Sequence, residues 1–209
     1  MATIGSNVTG VIQNSTTSAL TLNGQLNVNS TGTTLTNSAG GQLLTLTGNV
    51  LGTGNLTLNN NSSTAAGITL NGSPSVFVNN NGTLTNAGSG SGSVVISTTI
   101  GPNGTSNVTE VVENSATSQL TLSGANTYTG ATSVSAGTLA VNGTSITDTS
   151  AVTVASGATL ALSGSETMGS LAGAGIVTLG ATTLTAGGNN TSTTFNGTAS
   201  GSGGLTKVG

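Results

Sequence analysis

Cysteine, histidine, tryptophan and arginine are all missing from this chain, and lysine occurs once, at Lys207. Imidazole, thiolate and guanidinium chemistry are therefore unavailable. Disulfides are excluded too, which fits secretion without cross-links as well as a reducing compartment. Nucleic-acid binding by phosphate neutralisation is excluded, because it needs a basic face that a single lysine does not make. Only 2% of residues are charged, against about 25% in ordinary globular proteins. The net charge of −3 comes from Glu110, Glu113, Asp148 and Glu166, too sparse for an acidic tail. No apolar run approaches the roughly 18 residues of a membrane-spanning helix, so no membrane insertion by this segment is expected. No leader-like apolar region follows Met1. Either a leader has been removed or the chain is an internal piece with an added methionine.

A composition this biased invites a disordered reading. Disorder, however, goes with high net charge and few aliphatic residues. Here Val, Ile, Leu and Thr recur at regular intervals, and the mean hydropathy is +0.20. Regular apolar–polar alternation is a strand signal.

The intervals define an array. Leu20-Thr21-Leu22, Leu44-Thr45-Leu46 and Ile68-Thr69-Leu70 recur at an even step, from 20 to 44 to 68. Val94-Val95-Ile96 and Leu120-Thr121-Leu122 each follow 26 later, Leu139-Ala140-Val141 comes 19 after that, and Leu160-Ala161-Leu162 another 21 on. Weaker copies lie between them at Leu26-Asn27-Val28, Leu56-Thr57-Leu58, Val76-Phe77-Val78, Val134 and Val152-Thr153-Val154. Each period thus holds two or three short strands. Asn-Gly pairs at 23–24, 71–72, 81–82, 103–104, 142–143 and 196–197 suit either two-residue hairpins or the corners of a coiling chain. Repeating three-stranded periods with one apolar stripe favour coiling, because like strands then stack on one another. The fold expected is all-β: a parallel β-helix, or β-solenoid, of roughly 9–10 rungs of about 19–26 residues. In each Leu-x-Leu the leucines point inward and the central threonine outward.

A longer duplication overlies this array. Residues 8–24 (VTGVIQNSTTSALTLNG) and 108–124 (VTEVVENSATSQLTLSG) agree at 11 of 17 positions at an offset of 100. It argues for modular extension rather than a single built site.

From Leu120 onward the motifs LTLSGANTYTGATSVSAGTLAVNG, SAVTVASGATLALSG and GGLTKVG follow one another. In that order they resemble the autotransporter-associated β-strand repeat of type V secreted passenger domains and other large bacterial surface proteins. The resemblance is close over residues 120–209 and stylistic over 1–119, so a single solenoid with divergent rungs followed by a repeat module is expected. In the family the final Gly-Gly-Leu-Thr-Lys-x-Gly leads into a further strand, so the chain is expected to end mid-repeat. The resemblance implies a right-handed β-helix displayed outside the cell, on the bacterial surface, and carries over no catalytic residue.

Candidate chemistry is thin. Glu110 and Glu113 are the closest carboxylates, but positions three apart on a strand face opposite ways, which spoils a shared acid–base site. The repeat also forms with Gly10 and Gln13 at the matching positions, so both glutamates read as solvated surface charge. Asp148, in Thr147-Asp148-Thr149, reads as a turn residue. Calcium is not expected without several converging carboxylates. Tyr128, the sole tyrosine, reads as packing over a solenoid end or corner rather than as a sugar platform. Asn-x-Ser/Thr triplets such as Asn7-Val8-Thr9 and Asn103-Gly104-Thr105 are what this composition gives by chance.

No catalytic, cofactor-binding or metal residue is therefore assigned, and no cofactor is expected. The leading reading is a non-catalytic structural or adhesive rod, with a host surface or neighbouring cell as partner. Two alternatives stand beside it. One is self-association through solenoid ends or sides, giving a filament. The other is ice binding, through Thr34-Leu35-Thr36, Thr83-Leu84-Thr85 and Thr183-Leu184-Thr185, although these triplets do not share one rung spacing. With so few ionisable groups, stability is expected to change little between neutral and moderately acid pH, and trypsin is expected to cut only after Lys207.

Overall fold

The computed structural model describes residues 3–73, 75–101 and 107–209. The turn expected at 103–104 and the triplet Asn103-Gly104-Thr105 lie outside these residues. All strand pairings among the described residues are parallel, and successive turns of the chain stack into a β-solenoid with three sides. The Asn-Gly pairs therefore do not close antiparallel hairpins.

One side is a nine-stranded sheet containing all seven triplets read from the sequence spacing. Its inward column runs Leu20, Leu44, Ile68, Val94, Leu120, Leu139, Leu160, Val177 and Ala199, each in register with the next. The outward column beside it runs Thr21, Thr45, Thr69, Val95, Thr121, Ala140, Ala161, Thr178 and Ser200. Three-residue strands such as Leu120–Leu122 bury their first and third residues. Each fully buried leucine contributes about 1.5–3 kcal/mol. Stacking like on like therefore builds an apolar core with three aromatic residues in the whole chain. At about 4.8 Å per rung, nine strands give a rod roughly 40 Å long.

The preceding side is an eight-stranded sheet from Gly10–Gln13 to Ser170–Gly173. The third side has a four-stranded sheet in the N-terminal turns (Leu26–Val28, Val50–Gly52, Phe77–Val78, Thr99–Ile100) and a three-stranded one at the other end (Glu166–Met168, Thr183–Ala186, Gly204–Lys207). Turn length varies more widely than the spacing of the triplets implied. The turn from Leu56 to its partner Leu84 is long, whereas Leu160 meets its partner Val177 after a much shorter one. The difference is taken up at corners and on the third side, where strands are short or absent.

Between the two third-side sheets no strand forms among the described residues for two turns; backbone bonds from Thr127 N to Ile100 O at 2.8 Å and from Asn126 N to Thr144 O at 3.3 Å remain, and side chains add to them. Ile100 N donates to Asn126 Oδ1 at 2.8 Å, and Asn126 Nδ2 donates to Ser145 O at 2.6 Å. Ser145 N in turn donates to Glu166 Oε2 at 3.0 Å. Asn126 and Glu166 thus connect four successive turns across the gap. Tyr128 and Ile146, both buried, fill the interior behind it.

Candidate functional site

The chemistry-bearing residues split into outward and inward sets. Glu110 and Glu113 belong to one strand, Glu110–Asn114, and face opposite ways as the alternation requires. Glu110 is half-exposed and accepts a hydrogen bond from Ser133 Oγ at 2.5 Å. Glu113 is wholly buried. The expectation of surface charge is therefore corrected for Glu113: its strand ends by turning the side chain under the corner that leads to the nine-stranded sheet.

That corner is an amide-lined column. Gln13, Asn37 and Asn60 lie in register at strand ends of earlier turns, Asn86 ends the next strand in register with Leu58, and all four are buried. Asn37 Nδ2 donates to Gly67 O at 2.8 Å, Asn60 Nδ2 to Gly92 O at 2.7 Å, and Asn86 Nδ2 to Ser118 O at 2.8 Å. Each bond latches a strand end to the corner of the following turn. Glu113 closes the column. It accepts from Asn86 Nδ2 at 2.8 Å and from Ser115 N at 2.7 Å. The next in-register residues, Val134 and Val154, are apolar.

The duplication explains why a carboxyl can sit there. Gln13 Oε1 accepts from Ser15 N at 3.0 Å, as Glu113 Oε1 accepts from Ser115 N, and Ser15 Oγ and Ser115 Oγ both accept from the amide three residues on. Glu113 thus occupies a site shaped for a neutral side chain. Burial pushes its carboxyl up to about 8, against the downward pull of hydrogen bonds from Asn86, Ser115 and Leu120, so at neutral pH it is predominantly protonated. The signal was present in the sequence as the Gln13–Glu113 correspondence and the polar residue ending each apolar strand.

Glu166 is also buried. Burial raises its pKa, the amides of Ser145, Ile146 and Thr167 lower it, and the charge of Asp148 raises it again. Two of the four side-chain carboxyls therefore lie inside, and with both shifted upward a pH dependence of stability is expected of the fold.

Tyr128 is the largest fully buried side chain, and it packs at the corner between the third side and the eight-stranded sheet, as expected of a packing residue. Its hydroxyl lies 2.7 Å from Thr132 Oγ1, which lies 3.0 Å from Ser150 Oγ. Burial pushes the phenol up to about 12. Asp148 is exposed within the turn closed by the bond from Ser150 N to Thr147 O, 2.9 Å. Lys207 is exposed and donates to Gly209 O at 3.0 Å. Among the described residues, no three His, Cys, Asp or Glu side chains converge to hold a metal ion. Thr34 and Thr83 lie on the eight-stranded sheet with their triplets, whereas Thr183–Ala186 belongs to the third side.

These features define an all-β repeat protein with an apolar core, whose buried polar side chains join successive turns. Residues 117–141 match the passenger-associated-transport-repeat. The matched stretch makes one circuit of the solenoid, from Leu120–Leu122 through the Tyr128 corner and Ala131–Ala136 to the strand Thr138–Asn142 that stacks on its own beginning. No curated protein and no solved structure matches the chain.

Proposed function

We propose that this chain is a non-catalytic segment of an extended extracellular rod, part of a secreted passenger domain or comparable bacterial surface protein, that carries adhesive surface away from the cell. The observation that carries this reading is the continuous parallel stacking of the nine-stranded sheet, with the passenger-associated repeat forming one of its turns. A solenoid of this kind lengthens by adding turns, so reach is the property that repetition supplies. The residue inventory supports a structural role. Neither buried carboxyl is placed for acid–base chemistry on a bound substrate: Glu113 contacts Asn86 and Ser115, and Glu166 contacts the Ser145 amide.

Display tests the reading. The chain would be placed behind an export signal and ahead of an outer-membrane translocator barrel, and intact cells would be labelled with an antibody against it. Surface labelling with retained β-structure is expected; a folded product held in the periplasm would count against the proposal. Small-angle scattering of the purified chain separates the rod from the filament alternative, since head-to-tail assembly lengthens the particle with concentration.

A further inference from the structure

A lateral groove of about 630 Å³ lies at the corner between the nine-stranded sheet and the third side in the first three turns, with Asn23, Gln25, Thr47, Asn49, Ser73 and Ser75 among its lining residues. The connection between Ile68–Leu70 and Phe77–Val78 is longer than the equivalent one between Leu44–Leu46 and Val50–Gly52, and its Ser73, Ser75 and Val76 line the groove.

We propose that this groove binds a neutral, hydroxyl-rich ligand, namely an uncharged oligosaccharide. The first ground is charge. All five charged side chains fall at or after Glu110, so residues 1–109 carry none. An anionic or cationic ligand would find no charged side chain on this half of the rod to pair with, and a purely apolar one would meet amides and hydroxyls around Val76.

The second ground is hydrogen-bonding capacity. Asn49 Oδ1 is held by Phe77 N at 2.9 Å, which fixes the amide and leaves its Nδ2 as a free donor among the described residues. Gln25 Nε2 is held by Asn27 Oδ1 at 2.6 Å, which leaves Oε1 as a free acceptor. Leu26 and Val50 pair in register, so Gln25 and Asn49 stand on neighbouring rungs about 4.8 Å apart. The side chains of Asn23, Thr47, Ser73 and Ser75 make no hydrogen bond among the described residues. An anchored donor beside an anchored acceptor, ringed by uncommitted hydroxyls and amides, suits sugar hydroxyls, which donate and accept at once.

The third ground is an apolar side chain. Val76 is among the groove's lining residues, so amides and hydroxyls stand beside an apolar surface, the combination that a sugar's C–H face and hydroxyl rim require. The proposal is independent of the rod function.

The test uses the full chain, labelled with ¹⁵N, titrated with maltotriose, cellotriose, tri-N-acetylchitotriose and, as a polyanion, heparin. At least one neutral trisaccharide is expected to shift amides at 23–25, 47–49 and 75–77, with no response to heparin. Gln25→Ala and Asn49→Ala are each expected to weaken binding by about tenfold, the loss of one hydrogen bond in a mostly desolvated site. Asn49→Ala also frees the Phe77 amide, so Thr47→Val and Asn23→Ala, which break no bond within the described chain, serve as variants that keep the fold. No shift with any neutral trisaccharide, shifts confined to other residues, an equal response to heparin, or unchanged affinity in all four variants would overturn the proposal.

Discussion

Asn86 Nδ2 donates to Glu113 Oε2 across 2.8 Å, and neither side chain is reached by solvent. Asn86 spends its other amide proton on Ser118 O. A carboxyl thus ends a column of buried amides at the turn before the passenger-associated repeat closes on itself.

The first prediction concerns pH. The folded carboxyl of Glu113 titrates at about 8 and the unfolded one near 4.5. Because the folded value is raised, the stabilisation is fully present below pH 4.5 and is lost as pH rises from 4.5 to 8. Glu166, shifted the same way, adds to the trend. Thermal melts followed by circular dichroism are expected to give a higher Tm at pH 5 than at pH 8.5. Glu113→Gln, which restores the residue of the earlier copy, is expected to raise the Tm at pH 8.5 and flatten the profile. A flat profile for the parent chain would contradict the burial of Glu113.

Asn60→Asp creates a second test of the same column. It removes the donor to Gly92 O and places a carboxylate where the side chain has no exposure. Denaturant unfolding at pH 8 is expected to show a loss of about 1–3 kcal/mol or more, partly recovered at pH 5 where the new carboxyl is neutral. Equal losses at both pH values would mean that the site admits water.

Tyr128 fills the interior at the third-side corner. Tyr128→Phe keeps the ring and removes the hydroxyl's contacts with Thr132 and Ser150, so about 1 kcal/mol is expected. Tyr128→Ala empties the interior at that turn and should cost about 3–5 kcal/mol. Similar small effects for both would show that neighbouring turns collapse into the space.

Two glycines separate close approach from backbone conformation. A Cβ on Gly130 would meet Thr109 O at 2.2 Å, in the turn below. Gly157 has open space around it but a φ of +83°. Gly130→Ala is expected to force adjacent rungs apart and unfold the chain at lower denaturant than Gly157→Ala, whose cost is about 1 kcal/mol. The reverse order would place rung spacing outside the control of Gly130.

Digestion checks the charge census. With lysine only at position 207 and no arginine, denatured chain treated with trypsin is expected to lose only Val208 and Gly209 by mass spectrometry.

The seven apolar triplets were legible because alternation is local: a Leu-x-Leu strand declares which residues face inward wherever it lies. Spacing then brought like triplets together, and one sheet contains all seven in register. The alternation also separated Glu110 from Glu113. It did not say which side each faced, because a surface and a buried strand end have the same spacing; only the overlying corner at Ser118 distinguishes them. Asn126 and Glu166 were hidden for a similar reason, since their partners, Ile100 and Ser145, belong to other turns of the solenoid.

The sequence by itself determined the period, the inward stripe and the lack of imidazole, thiolate and guanidinium groups, since these follow from residue type and two-residue alternation. Tertiary structure decided the length of each turn, the burial of Glu113 and Glu166, the side chains that bridge the broken third side, and the groove beside Asn49. These depend on what the next turn places above a residue. Desolvation and hydrogen-bond partners come from stacked neighbours a whole turn of the chain away, so local sequence carries the rung and the stack sets its chemistry.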